Sequence, residues 1–498
     1  MVAPSSRAAR RRGGAGDGGG TIVAGRSDDR GGRRTPCARS RITARPALLQ
    51  SGSAFGGTSD GSAEAPVEGA RGAITVSDER YDVVVVGGGP GGSSAATFLC
   101  RGGLKVALFE RDAFPRFHVG ESLMPAAMLL LEQMGVRGEI EARGFQIKYG
   151  AMFFDEEQGL ERTFYFLPGQ AWPNYSYEVP RAEFDTVLLE HARRSGAAVF
   201  QPASVESADF DHDGVTVRVS GAGMPPVVRA RMLVDASGRS SFIATRLGER
   251  RRRPNLGKVS LFAHFRGAAR LSGKDEGNIR IYVVRDGWFW WIPLANDLTS
   301  VGAVMHARTV RAWTGTADDL YASMIARCAP IAAGLAHAER VGAIHREANF
   351  AYVNTPVVGD RFVAVGDAVT FVDPIFSGGV YIALRTGQLA AQAILRAFAD
   401  GRFEARGFHA YQRQAERGVA PLFKFIHKYY EPVFFDLFMH PRRLFGMYEA
   451  VLNVLSGGSF IRFRVRTRLS LAVLFVIARI STWLSRRAGR PVESRLEW

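Results

Sequence analysis

Hydrophobic positions fall into three regimes along the chain. Up to about residue 76 they are scattered among Gly, Ser, Ala and Arg with no period, and Phe55 is the only aromatic. Such a segment has too little apolar side chain to offset the entropy of ordering, so residues 1–77 are expected to be a disordered basic leader or the product of an over-extended gene start. Order is expected at Tyr81-Asp82-Val83-Val84-Val85-Val86, a run apolar enough for a buried parallel strand. It leads through Gly87-Gly88-Gly89-Pro90-Gly91-Gly92 into helical residues 94–99 and a second strand over 106–109. Further strands (215–219, 232–235, 259–265, 279–284, 362–365) alternate with helices over 184–194 and 381–398. The pattern predicts an α/β, Rossmann-type domain over 78–405, interrupted by an inserted mixed β-sheet (about 145–180 and 255–350), and a helical C-terminal region over 406–498.

The third regime is the C-terminal tail. Arg462, Arg464, Arg466 and Arg468 precede an apolar run over 469–478, about ten residues where a bilayer crossing takes about 20. No transmembrane span is expected. Wound as a helix, the segment puts Leu469, Val473, Val476, Ile480 and Trp483 on one face. It reads as a basic amphipathic helix packed on its own protein, or alternatively one touching a membrane surface or an acidic carrier protein.

Charge sharpens this division. The chain has 498 residues and 64 Lys+Arg against 48 Asp+Glu, a net +16 that by itself suggests nucleic acid or anionic lipid. Residues 1–76 hold 12 Arg against 6 acids and residues 442–498 hold 11 against 3, so the middle of the chain is nearly neutral and nucleic acid drops out as a partner. Cys37, Cys100 and Cys328 are odd in number and far apart, which offers neither a disulfide framework nor a metal spacing and fits a cytoplasmic protein.

The strand, glycine turn, helix and second strand form a βαβ opening, and Glu110, with Arg111 beside it, follows Gly92 by 18 residues, where a carboxylate meets a ribose hydroxyl. Gly87, Gly89, Pro90, Gly91 and Gly92 permit a tight turn and close approach of a pyrophosphate to helix N–H groups. Val234-Asp235-Ala236-Ser237-Gly238-Arg239 and Val365-Gly366-Asp367-Ala368 each follow a further strand. These three segments together resemble the flavoprotein monooxygenase and halogenase superfamily over nearly all of residues 81–458. The resemblance implies a glutathione-reductase-like FAD-binding fold, with Asp235, Gly238, Gly366 and Asp367 among the cofactor-binding residues. Arg181, in Glu178-Val179-Pro180-Arg181, resembles the arginine that precedes an FAD-domain helix in relatives, and His118 lies in a strap that passes the flavin, where it reads as lining and not as a base.

Within that superfamily, Trp288-Phe289-Trp290-Trp291-Ile292-Pro293 resembles the WxWxIP motif of flavin-dependent halogenases, in which Trp288, Trp290, Ile292 and Pro293 would keep substrate from the flavin. Taken alone, three tryptophans in four positions on an inner strand read equally as core. Phe371-Val372-Asp373-Pro374-Ile375-Phe376-Ser377-Gly378-Gly379 is similar to the family's FxxPxxSxG segment, which implies that Ser377, Gly378 and Gly379 hold halide and that Pro374, Gly378 and Gly379 approach the flavin. Lys148 matches the catalytic lysine. With 6 lysines against 58 arginines in the chain, a lysine here escapes a strong compositional bias, and an amine can be neutral in an apolar pocket where a guanidinium cannot. Phe376 stands where tryptophan halogenases carry a glutamate, so no carboxylate is expected to orient the lysine, and a phenol- or pyrrole-type substrate is implied.

The implied activity is an FAD-dependent halogenase, with FADH2 from a separate flavin reductase and chloride or bromide as co-substrate. Its electrophilic halogen would pass an internal tunnel to Lys148 and meet an electron-rich aromatic ring, free or bound to a carrier protein, in secondary metabolism. Phe164, Tyr165, Trp172, Tyr175 and Tyr177 are candidates to line the substrate pocket or to be interior packing. The alternatives are an aromatic hydroxylase on the same fold, a geranylgeranyl-reductase-like flavin enzyme and a non-catalytic flavoprotein. No metal site is expected.

Overall fold

The computed structural model describes residues 41–42 and 76–488, apart from 222, 224–225, 248–249, 253–257, 286, 349–350, 372, 441–445 and 461–464. The leader, Val372, Arg462 and Arg464 therefore lie outside the described residues, save for Arg41–Ile42 and the last two leader positions. Those last two, Val76 and Ser77, already belong to the first strand, Val76–Val86, which starts five residues ahead of the apolar run because its polar first half pairs with Val227–Asp235.

The parallel part of the first sheet orders Phe362–Ala364, Val227–Asp235, Val76–Val86, Val106–Phe109 and Ala198–Phe200 side by side. Parallel strands need crossovers that cover both faces, and these strands are accordingly apolar on both: Val83 to Val85 and Val106 to Leu108 are fully buried. Helices Pro90–Arg101 and Gly379–Asp400 cover one face, packed so closely that a Cβ on Gly387 would lie 2.5 Å from the Gly91 carbonyl oxygen. Because the strands run the same way, the glycine turn, Glu110, Ala236 and Val365-Gly366 all emerge at one edge. That edge is where open α/β sheets bind ligands.

The second sheet orders Glu339–Ala348, Lys258–Arg266, Leu298–His306, Gly287–Pro293, Ile279–Val284, Gly150–Asp155 and Leu160–Tyr165. All its pairs are antiparallel except Ile279–Val284 with Gly150–Asp155, so the sheet is mixed. Strand parity decides the fate of the aromatic stretch. On Gly287–Pro293, Trp288, Trp290 and Ile292 point to one side with Ile279 and Ile281, while Phe289 and Trp291 point to the other, against Leu320, Tyr321 and Ile331. The aromatic stretch is thus divided between two cores, one on each face of the strand. The register is keyed by a missing side chain, since a Cβ on Gly302 of the neighbouring strand would lie 2.1 Å from Trp290 Cζ2.

A two-stranded ribbon, Gln146–Lys148 with Ser176–Glu178, lies beside this sheet. The C-terminal helices Ala405–Tyr429, Pro432–Met439 and Met447–Leu455 pack their Phe and Tyr side chains onto the same core as Trp288 and Trp290. The last helix, Val465–Arg487, is 23 residues long and extends beyond the ten-residue apolar run at both ends. By length and composition it is long and apolar enough to cross a membrane. Leu471, Leu474 and Ala478 are buried against the protein, and Leu469, Val476, Ile480 and Trp483 are exposed.

Gly302→Ala is expected to push Trp290 off its seat and lower stability by about 1–3 kcal/mol, the usual range for overpacking. Urea unfolding followed by tryptophan fluorescence measures it, and an unchanged midpoint would remove the keying role given to Gly302.

Candidate active site

A cavity of about 580 Å³ opens at the strand edge and runs from the glycine turn to the tryptophan wall. Of the expected cofactor residues, Gly87, Gly89, Pro90, Gly91, Glu110, Arg111, Arg181, Gly238, Gly366, Asp367, Pro374, Gly378 and Gly379 line it. Trp288, Trp290, Ile292 and Ser377 line it as well.

The residues fit a dinucleotide. Gly87 (φ +103°) turns the chain where a Cβ would lie 2.4 Å from the Ala236 carbonyl oxygen, and a Cβ on Gly92 would lie 1.9 Å from the Gly87 oxygen. Gly89 caps Pro90–Arg101 with no side-chain hydrogen bond, which leaves the first helix N–H groups facing the cavity for an anion. Glu110 is held in place by the Gly88 N–H, which donates to Oε2 at 2.7 Å, and the Asp112 N–H, which donates to Oε1 at 3.0 Å. Asp367 faces the cavity, and burial pushes its carboxyl up to about 7 against the opposing pull of Arg181 and Arg239. A carboxyl so poorly solvated by its own protein is suited to a hydroxyl partner.

Four expected residues are placed otherwise. Asp235 is fully buried and spent on its own chain: its carboxylate accepts from Ser237 Oγ, Ser237 N–H and Ile243 N–H, so it braces the turn that carries Ser237 and Gly238 and does not reach the cavity. Gly92 serves close packing, and Pro293 is buried behind the wall. Lys148 is off the cavity, 2% exposed, with Nζ donating to Ser122 Oγ at 2.5 Å and lying 3.7 Å from Glu178 Oε1. Arg181 lines the cavity but is largely committed: its guanidinium grips both oxygens of Asp185 at 2.8 Å and donates to the Val119 carbonyl at 2.6 Å, which ties down the strap.

The surroundings of Lys148 correct one expectation. Phe376 is buried in an aromatic cluster with Phe425, Tyr429 and Phe153, as a residue without charge must be there, yet a carboxylate does orient the lysine, supplied by the ribbon. Pairing of Lys148 opposite Ser176 and of Gln146 opposite Glu178 sets Lys148 and Glu178 diagonally on one face, and a bridge between Ser122 and Glu178 brings the cavity wall to both. Ser122 Oγ lies 3.2 Å from Glu178 Oε1, and Ser122 itself lines the cavity. Complete burial holds Lys148 below its ordinary value against the pull of Glu178, and burial pushes Glu178 up to about 8 against the pull of Lys148. Ser122 and Glu178 were both in view in the sequence, but their partnership depends on strand register and carried no local signal.

The aromatic candidates divide. Phe164 and Trp172 are buried in the core, with Phe164 against Phe438 and Tyr448, while the Tyr165 hydroxyl donates to Asp275 and the Tyr175 hydroxyl accepts from Arg137. None of them, nor Tyr177, lines the cavity; Phe164, Trp172 and Tyr177 are buried in the core, while Tyr165 and Tyr175 are half-buried. His118 Nδ1–H donates to the Val119 carbonyl at 2.7 Å, and burial, helped by Arg181, lowers it to about 4. Among the described residues, the one cluster with metal-ligating spacing, Asp211, His212 and Asp213, is exposed, and none of the three lines the cavity.

At the far end of the cavity the anion segment takes the form its glycines permit. Ser377 (φ +57°) ends a 3-10 turn over Pro374–Phe376, and Gly378 then opens the long helix Gly379–Asp400. A Cβ on Gly378 would lie 2.5 Å from Leu422 Cδ2.

A dinucleotide cradle, a tryptophan wall, a glycine-opened helix and a buried lysine outside the cavity together define an FAD-binding flavoprotein. The sequence matches the FAD binding domain family over residues 80–423. It is 32% identical to the 1H-pyrrole-2-carbonyl-[peptidyl-carrier protein] chlorinase of Pseudomonas fluorescens, covering 71% of this chain and 84% of that one. It is also 32% identical to the corresponding brominase of Pseudoalteromonas luteoviolacea, covering 77% and 93%. The structure of the flavin-dependent brominase Bmp2 superposes with a TM-score of 0.72 at 28% identity, over 81% of this chain and all of that one. The chain belongs to the flavin-dependent halogenases, with FAD as cofactor and halide as co-substrate.

Because His118 is neutral well above its value of about 4, His118→Gln is expected to leave the pH dependence of turnover unchanged between about pH 6 and 9. A shifted limb in that window would make it a proton-transfer group after all.

Proposed function

We propose that the enzyme chlorinates or brominates an electron-rich, phenol- or pyrrole-like ring, and that Lys148 delivers the halogen. The observation that carries this reading is the division of the site: Trp288, Trp290 and Ile292 close the cavity, while the amine sits behind Ser122, outside it. Reduced FAD, when bound, supplies with oxygen the oxidising power that turns halide into electrophilic halogen. The chain's own residues then separate and position. Trp290 is locked by Nε1–H donation to Ser300 Oγ at 3.1 Å and by Phe262 at 5.4 Å between ring centroids, so the wall excludes a ring from the flavin end. Gly378 and Gly379 offer backbone N–H groups for the halide. Ser122 links the cavity to Lys148, and Glu178 takes up or returns the proton that the amine exchanges there.

The related chlorinase and brominase act on a pyrrole carried by a peptidyl-carrier protein, which supports a tethered substrate here too. The basic helix Val465–Arg487 has five arginines and no acid, with an exposed apolar face, and is the proposed surface for an acidic carrier. Reduced flavin is proposed to come from a separate reductase, and a reducing cytoplasm fits the free thiols of Cys100 and Cys328.

Supplied with FAD, NADH, a flavin reductase, oxygen and bromide, the protein is expected to give halide-dependent isotope doublets from phenols, pyrroles or their carrier-bound forms. Lys148→Ala should lower product about 100-fold or more while flavin reoxidation persists. Product that gains one oxygen regardless of halide would replace this reading with a hydroxylase. For the helix, Leu469→Glu combined with Ile480→Glu should raise KM for carrier-bound substrate and leave the free analogue unaffected. Equal effects on both forms, or vesicle binding lost in its place, would remove the carrier surface.

A further inference from the structure

A second buried lysine stands next to the anion segment. Lys258 begins the strand Lys258–Arg266, is 1% exposed, and donates from Nζ to Asp373 Oδ2 at 2.7 Å. Its ammonium lies 3.2 Å from the centre of the Tyr430 ring, at the end of helix Ala405–Tyr429. One charged group thereby pins three parts of the fold: the mixed sheet, the anion segment and the C-terminal region.

Asp373 connects that pair to the site. Its Oδ1 accepts from the Ile375 N–H at 3.1 Å, capping the Pro374–Phe376 turn that leads to Ser377, Gly378 and Gly379, and Asp373 itself lines the cavity with those three residues. A carboxylate on the wall of an anion site opposes the anion unless its charge is cancelled. Stability alone is a poor reason for the pair, because buried ion pairs replaced by apolar groups of similar volume are often neutral or stabilising. Burial also lowers Lys258 to about 8 against the pull of Asp373, so the charged form is maintained by its partner.

Resting on the halogenase reading above, we infer that Lys258 is a positioning residue for halide: held on Asp373, it cancels that carboxylate's charge beside Gly378-Gly379 and fixes the turn that aims their N–H groups. The Asp373 cap on Ile375 can be made by an asparagine as well, which separates charge from geometry.

The test uses the FAD-loaded enzyme with its reductase and a bromide titration. Lys258→Met is expected to raise KM for bromide about tenfold or more, with kcat at saturating bromide within about threefold of wild type. Lys258→Met combined with Asp373→Asn should return KM to within about threefold, because the bare carboxylate is gone. A readout independent of turnover is the anomalous signal of bromide soaked into flavin-free crystals. It should appear at Gly378-Gly379 in wild type and the double variant, and weaken in Lys258→Met. If Lys258→Met does not fold, Lys258→Gln carries the same comparison. A kcat loss at unchanged bromide KM, or a double variant as impaired as the single one, overturns charge cancellation. Failure of the wild type to bind bromide and to halogenate anything would instead remove the reading beneath it.

Discussion

A lysine that is completely buried must either give up its proton or find partners that keep it, and the geometry of this enzyme follows from how that demand is met. Lys148 has Ser122 and Glu178 within reach only because three stretches distant in sequence converge: the loop after the strap and both strands of a short ribbon. Neither ribbon strand is longer than three residues, so the ribbon has little stability of its own and depends on the Phe- and Tyr-rich core beneath it. The placement of Lys148 is therefore as rigid as that core, which the C-terminal helices help to build. Removing those helices would uncover the same apolar surface on which the lysine's placement rests.

The anion segment shows the same economy. Phe376 is buried among Phe425, Tyr429 and Phe438, while Asp373, three residues earlier, carries a charge cancelled by Lys258. Charge and apolar contact alternate along one short turn, and each faces a different element. In this way the chain places a carboxylate at the lysine and an aromatic ring in the anion segment.

Much of the fold was legible in the sequence because its signals are local. The buried strand run, the glycine turn and Glu110 need only their own residues, and the strands over 106–109 and 279–284 appear with the bounds their patterns predict. The anion segment and the tryptophan stretch were legible as motifs for the same reason. Pairings were not. Glu178 sits in a strand of polar and aromatic residues with nothing to mark it as a partner of Lys148, and Lys258 lies 115 residues from Asp373. Asp235 misled in the opposite direction, since its position after a strand suits a cofactor contact, yet the turn's own N–H groups claim it first. The last helix extends beyond its apolar run because its polar positions, Arg466, Arg468 and Arg479, interrupt apolar residues without interrupting helix.

The tryptophan strand has one more consequence. Its two faces are nearly interchangeable in bulk, Trp288 and Trp290 on one side and Phe289 and Trp291 on the other, so hydrophobicity alone hardly penalises a slip of one residue that would turn the strand over. What discriminates are vacancies: Gly302 receives Trp290, and Gly334 lies so close to Trp291 that a Cβ there would come within 2.6 Å of the ring. The strand's orientation is thus encoded in its neighbours' missing atoms, and sequence drift at two inconspicuous glycines would threaten the turning of Trp288 and Trp290 toward the cavity more than an exchange of one aromatic residue for another.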